Sequence, residues 1–206
     1  WCERAIERRY LRPRAIYGYY PCYSHENELV VLQPPGHADA FTPLARFNFP
    51  RQPQGRRLCL SDFFRRKDLA ESQGFDVVAL TLVTMGDTPS LVGQDLFAKN
   101  RYDDYLHFHG LAVASTEAMA ELLHKRVRHE LGIGSHDAPL TEQLFSQGYQ
   151  GSRFSFGYPA CPRLEDHVPL LSLLQPERIG ITLSEEFQLV PEQSTSALIS
   201  HHPAAR

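Results

Sequence analysis

The stretch Phe75-Asp-Val-Val-Ala-Leu-Thr-Leu-Val-Thr84 is apolar almost throughout and rich in β-branched residues. That is the composition of a strand covered on both faces, so it is expected at the centre of a sheet. Met85-Gly86-Asp87 ends it. From about Ser90 to Leu131 the pattern turns helical, with Leu106, Val113, Met119, Leu122, Leu123 and Val127 three, four or seven apart in most steps. Gly110 is read as a close helix approach within that block. Upstream, Arg14 to Tyr20 and Leu29 to Gln33 are aromatic or β-branched runs separated by Ser24-His-Glu-Asn-Glu28, a hairpin pattern. Pro34-Pro35-Gly36 then breaks the chain, and Leu44 to Phe49 alternates around Ala45, Phe47 and Phe49 as a half-buried strand does. Downstream come a short helix from Thr141 to Gln147 with Thr141 as N-cap, another from Val168 to Leu174, and a closing strand from Thr195 to Ser200. Strands on either side of a long helical block favour a single α+β domain, its sheet mainly antiparallel with flanking helices, over a βαβ nucleotide fold.

Composition narrows the function. The 206 residues include 42% hydrophobic ones, enough for a sizeable core. The 24 acidic residues against 21 basic ones give a net charge of −3, which argues against nucleic acid or a membrane surface as the main partner. No apolar run approaches the ~20 residues of a membrane span, and no signal peptide precedes the first charges. Cys2, Cys22, Cys59 and Cys161 are scattered singly and read as reduced cytoplasmic thiols rather than a zinc site or disulfide frame. His107 and His109, two apart in a helical pattern, diverge and form no metal pair. The chain starts at Trp1 within a charged helical segment and stops abruptly at Arg206. It reads as a piece of a longer polypeptide, with residues 1–13 as an entry helix or linker.

The chemistry concentrates in Tyr149-Gln-Gly-Ser-Arg-Phe-Ser-Phe-Gly-Tyr-Pro-Ala-Cys-Pro162. Pro159 and Pro162 lack donors and fix φ, so this segment is expected to be an irregular, aromatic-lined loop rather than an interior helix or central strand. It carries one permanent charge, Arg153, whose planar fork suits a carboxylate, beside the Tyr158 hydroxyl.

Arg153-Phe-Ser-Phe-Gly157-Tyr158-Pro159 resembles the Arg-x-x-x-Gly-Tyr-Pro signature of the activation domain of cobalamin-dependent methionine synthases. Leu58-Cys-Leu-Ser-Asp62-Phe-Phe64 is similar to that family's strand-like Leu-Cys-Leu-Ala-Asp-Phe segment. The run Thr116 to Arg128 resembles its long helix, and Leu183-Ser-Glu-Glu-Phe187 with Pro191, then Ser200-His-His202-Pro203, its C-terminal part. The matches are in order and span about Arg14 to Pro203.

The resemblance implies a C-shaped domain around a twisted antiparallel sheet that binds S-adenosylmethionine. Asp62 and Arg153 would hold the methionine end, with Ser155 offering backbone to the adenine. Gln147 stands where family members often carry a glutamate, and would bond a ribose hydroxyl without adding charge. Glu117 and Tyr158 would face cobalamin. The chain has no Asp-x-His-x-x-Gly run to supply a cobalt ligand, so cobalamin would be held by a neighbouring domain of the same polypeptide. Zinc would belong only to a homocysteine domain elsewhere. Absence of a Gly-x-Gly-x-x-Gly loop excludes the common Rossmann-type methyltransferase. The implied function is reductive reactivation: methyl transfer from S-adenosylmethionine to cobalamin after one-electron reduction of cob(II)alamin by a flavodoxin-type donor. A family tyrosine that contacts the ligand shortly after the His-Pro turn would lie beyond Arg206. A stand-alone S-adenosylmethionine-binding module serving another corrinoid protein is the alternative, and a degenerate scaffold the blander one. Basic clusters at Arg56-Arg57 and Arg65-Arg66-Lys67 bracket the Asp62 segment and suit an acidic reductant.

Overall fold

A computed structural model describes residues 1–33 and 41–205. The expected break at Pro34-Pro35-Gly36 lies outside the described residues. Along the chain come α1 (Cys2–Glu7), β1 (Arg14–His25), β2 (Glu28–Leu32), β3 (Pro43–Asn48), α2 (Lys67–Gln73), β4 (Asp76–Thr84), α3 (Thr88–Ala98), α4 (Tyr102–Glu130), α5 (Thr141–Phe145), β5 (Ser152–Phe154), α6 (His167–Leu174), β6 (Thr182–Leu183), β7 (Leu189–Val190) and β8 (Ser194–Ser200). Six strands form one antiparallel sheet in the order β3-β2-β1-β4-β8-β5, and β6 and β7 pair separately. This is an α+β fold, as the sequence pattern suggests.

Strand β4 is apolar on both faces because both faces are covered. Val78, Leu80 and Leu82 point into the main core with Leu170, Leu171 and Leu174 of α6. On the opposite face Ala79 meets Val127 of α4 and Ile199, while Val83 packs with Ala120 and Leu123. Its neighbours are β1, with Thr84 opposite Arg14, and β8, with Thr84 opposite Ser194.

Several elements differ from the sequence reading. Strand β1 runs on past Tyr20 through Pro21 to His25. A proline is tolerated there because pairing with β2 begins only at Cys22, so its missing N–H removes no bond on that side. The helical block is two helices, broken at Asn100, whose φ of +57° is left-handed. The buried stripe of α4 is Phe108, Ala112, Thr116, Ala120, Leu123 and Val127, whereas Leu106, Val113 and Leu122 are exposed. Gly110 approaches nothing; a Cβ there would meet no atom within 4 Å. Leu140, not Thr141, is the N-cap residue of α5, with no side-chain cap. The Leu58–Phe64 segment is not a strand but contains a 3-10 turn, Leu60–Phe63. Residues 152–154, expected within an irregular loop, form β5 on the sheet edge, paired with β8 through Arg153 opposite Ile199. The prolines that forbid a strand come only after it.

The N-terminal segment is docked, with Trp1 and Tyr10 rings 5.2 and 5.7 Å from Phe108 of α4. At the far end of α4 the Tyr17 and Tyr19 hydroxyls donate to Glu130 at 3.0 and 2.6 Å. The edge strand β5 is preceded by Gly151, where φ is +83° and an added Cβ would lie 2.5 Å from the Ser200 carbonyl. Both the conformation and the space therefore require glycine. Gly151→Ala is expected to cost about 1–3 kcal/mol and to speed amide exchange along β5. Denaturant unfolding that matches the parent would show that β5 absorbs the change.

Candidate functional site

Strand β5 aims Arg153 at the middle of α4. Glu117 and Glu121 are one turn apart and so share a helix face. Arg153 Nη2 donates to Glu117 Oε2 at 2.6 Å and Nε to Glu121 Oε1 at 2.7 Å, while Nη1 reaches Ser155 Oγ at 3.3 Å. The arginine side chain is 16% exposed and the glutamates 50% and 45%. Burial alone would weaken the guanidinium's charge, but the hydrogen bonds and charges of Glu121 and Glu117 outweigh it and leave its pKa raised.

Behind this pair lies a polar arrangement that the sequence reading missed. Arg128 and Asp137 form a bidentate pair at 2.8 and 2.7 Å, their side chains 3% and 9% exposed. The Arg128 guanidinium lies 4.0 Å from the Tyr149 ring centre, and His124 meets the same ring edge-on at 5.2 Å. His124 is fully buried and neither ring nitrogen has a hydrogen-bond partner among the described residues, Nδ1 lying 4.0 Å from Glu121 Oε2. Desolvation, then the positive charges of Arg128 and Arg153, push its pKa down to about 3. Arg128 holds the Asp137 carboxyl below its ordinary range. The signal was present in the sequence. Glu117, Glu121, His124 and Arg128 recur at steps of four, three and four, which puts a polar stripe on one helix face beside the apolar one.

A cavity of about 400 Å³ opens over Arg153, lined also by Glu117, Gln147, Tyr149, Ser155 and Tyr158. Five of the six sequence-predicted site residues therefore meet here. A larger cavity of about 1020 Å³ extends along α3 and α4 and shares Glu117, Ser155 and Tyr158 with the first. Tyr158, 65% exposed, sits in a tight turn closed by bonds between Gly157 and Cys161 and between Cys161 and Tyr158.

Asp62 does not line either cavity. Both its oxygens accept from Arg51 at 2.7 Å, and Oδ2 also accepts the Cys59 N–H at 3.1 Å. Arg51 first, and then the Cys59 bond, outweigh burial and lower its pKa. Its turn nevertheless abuts the site, since Phe63 stacks on Phe154 with ring centres 6.2 Å apart. Among the described residues, no group of His, Cys, Asp and Glu could hold a metal ion, and no helix is long and apolar enough to cross a membrane.

The family model described as the activation domain of vitamin B12 dependent methionine synthase matches residues 1–206. The chain belongs to this family. It is 47% identical over 215 residues to a methionine synthase of Mycobacterium tuberculosis (strain ATCC 25618 / H37Rv) and 50% identical over 214 residues to one of Mycobacterium leprae (strain TN). Each match covers all of this chain and 18% of the relative, so the chain spans less than a fifth of those enzymes. A solved structure, the MetH reactivation domain bound to AdoHcy, superposes with a TM-score of 0.88 at 25% identity, covering 99% of this chain and 63% of that one. The fold of this activation domain is thus shared with a solved member.

The buried His124 gives this activation domain a pH signature. Its pKa is lowered from 6.5 to about 3 in the folded state. The unfolded chain therefore binds the proton first, and stability is lost as pH falls below about 6.5 towards 3, by up to ~1.4 kcal/mol per pH unit. His124→Phe keeps the edge-on contact with Tyr149 and removes the titration. Urea unfolding between pH 6.5 and 5 should show a shallower loss than in the parent; equal slopes would mean that His124 is not buried neutral.

Proposed function

We propose that this activation domain binds S-adenosylmethionine in the cavity over Arg153 and presents its methyl group to cobalamin carried by another domain. The observation that carries the reading is Arg153: a guanidinium on an edge strand, lining the smaller cavity next to the residues that this cavity shares with the larger one, with Nη1 turned to Ser155 rather than to a carboxylate. The neighbour's AdoHcy complex supports it, because AdoHcy is the product left when S-adenosylmethionine gives up its methyl group.

The residues fit the ligand. Arg153 offers the cation that the methionine carboxylate needs. Asp62 lies outside this cavity and is paired with Arg51, but its turn abuts the site through Phe63 and Phe154, and it is the proposed acceptor for the ammonium. Its Oδ1 takes only the Arg51 bond and keeps a lone pair. Ser155 lines the cavity and its backbone is proposed for the adenine, while Gln147 can bond a ribose hydroxyl. A volume of about 400 Å³ lies within the ~300–1,000 Å³ range of small-molecule sites.

When bound, S-adenosylmethionine supplies the methyl group, and reduced cobalamin accepts it. The chain's share is to fix the donor in one geometry and shield it. Glu117 and Tyr158 line both cavities and are the groups proposed to face cobalamin. The domain would act after one-electron reduction of cob(II)alamin by a flavodoxin-type donor, in the cytoplasm. Zinc would serve only the homocysteine domain of the whole enzyme. The relatives' name and length favour this over a stand-alone module serving another corrinoid protein.

A charged hydrogen bond contributes roughly 1.5–3 kcal/mol, so Arg153→Ala should weaken S-adenosylmethionine binding about tenfold to a hundredfold. Isothermal titration reads this directly. A folded variant that binds like the parent removes Arg153 from the site.

The reductant's docking face is proposed at the basic segment around Asp62. Arg65 caps the carbonyls of Gln73 and Gly74, so its charge also serves the end of α2. Arg56 and Arg66 are exposed, and Arg66 is offset only by Asp68. Complementary charge mainly raises association rates. Arg56→Glu with Arg66→Glu should slow reductive reactivation of the whole enzyme at low salt and leave S-adenosylmethionine affinity intact. Reactivation rates equal to the parent's at every ionic strength would rule this face out.

A further inference from the structure

Arg153 is already engaged by the protein's own carboxylates. A guanidinium has two edges that can grip a carboxylate with parallel N–H bonds, Nε with Nη2 and Nη1 with Nη2. Nη2 belongs to both. Glu117 holds Nη2 at 2.6 Å, whereas Glu121 holds Nε at 2.7 Å. Any carboxylate that takes Arg153 bidentately therefore arrives at the nitrogen Glu117 occupies. Nη2 carries two N–H bonds, one on each edge, so the ligand's carboxylate and Glu117 would be neighbours on one nitrogen. Neighbouring carboxylates repel, and three around one cation leave a net negative cluster. Glu117 is the one able to yield. Its side chain is half exposed, and it stands on the wall common to the small and the large cavity.

We propose that Glu117 is an internal competitor for the ligand's carboxylate. A carboxylate-bearing ligand displaces it from Arg153 Nη2, and its own carboxylate turns into the larger cavity, while Glu121 keeps Nε and fixes the guanidinium's orientation. Glu117 thereby sets affinity and selectivity for ligands with a free carboxylate. It also converts occupancy of the small cavity into a negative charge presented in the large one. This rests on the proposed reading of the cavity as an S-adenosyl site.

The competition predicts an effect opposite to that of an ordinary contact residue. Glu117→Gln keeps the size and removes the charge. It should tighten S-adenosylhomocysteine binding by roughly two- to fivefold, the fold-change matching the free energy of an exposed ion pair. Binding of 5′-methylthioadenosine, which has no carboxylate, should not change. Titration calorimetry on the chain with both ligands reads the two arms. Unchanged or weaker S-adenosylhomocysteine binding by the folded variant overturns the inference, as does equal tightening for both ligands. In either case the parent's own affinity leaves the site reading standing. If the parent binds neither ligand, the site reading falls and takes the inference with it. A crystal structure of the S-adenosylhomocysteine complex gives a second measure: Glu117 is expected away from Nη2, and finding it still bonded there would refute the exchange.

Discussion

The bond between Arg153 and the two glutamates of α4 is the constraint on which the site depends. The edge strand β5 has three residues and one pairing partner, β8. Such a strand is weakly held by its ladder alone. Its side chain supplies the remaining attachment, because the guanidinium bonds to a helix that is itself fixed at both ends. Trp1 and Tyr10 clamp α4 at Phe108, and Tyr17 and Tyr19 bind it to the sheet through Glu130. The Arg153 head is therefore located by two elements whose positions are set elsewhere. That is the condition for holding a small molecule in one orientation.

The polar stripe of α4 shows how charge is kept near a cavity without loss of structure. Arg128 is buried, and its cost is offset by a bidentate Asp137 and the face of Tyr149. His124 stays neutral because burial, and then the fields of Arg128 and Arg153, outweigh the nearby carboxylates of Glu121 and Asp137. Its unpartnered nitrogens are a standing cost. Along one helix face the stripe runs from two carboxylates through a neutral imidazole to a guanidinium, so a change at one alters the field at the others. Energies of substitutions here should not add.

The parts of the fold readable in the sequence were those set by periodicity. Strand β4, β8 and α6 follow from runs of apolar residues, and the helical block was legible as helix, though three of the residues read as its stripe, Leu106, Val113 and Leu122, are exposed. The parts that were not readable depend on a single backbone state or a distant partner. Asn100 breaks the helical block by one left-handed residue, and the Leu60–Phe63 turn hides in a segment apolar enough to look like a strand. At the site, the residue types in the Tyr149–Pro162 loop pointed to Arg153 and Tyr158, and the geometry gathers Glu117, Gln147 and Ser155 beside them. Which groups Arg153 and Asp62 touch was beyond sequence reasoning. Arg51 lies eleven residues before Asp62 and Glu121 thirty-two before Arg153, and only the fold brings each pair together.

A domain that transfers a group between two bound molecules has to keep two compartments apart until both are filled, and then join them. Here the wall between the compartments consists of Glu117, Ser155 and Tyr158, each on a different kind of support. Glu117 is on a long helix, Ser155 just past the edge strand, and Tyr158 on a turn whose φ of +89° at Gly157 directs the chain outward. On the proposed reading, the donor lies on the Arg153 side and the acceptor approaches from the large cavity. No proton need move at this wall for a methyl group to pass, so the wall residues can be chosen for position and mobility. That suits a wall made of a half-exposed glutamate and an exposed tyrosine, free to move, with the buried His124 and Arg128 behind it.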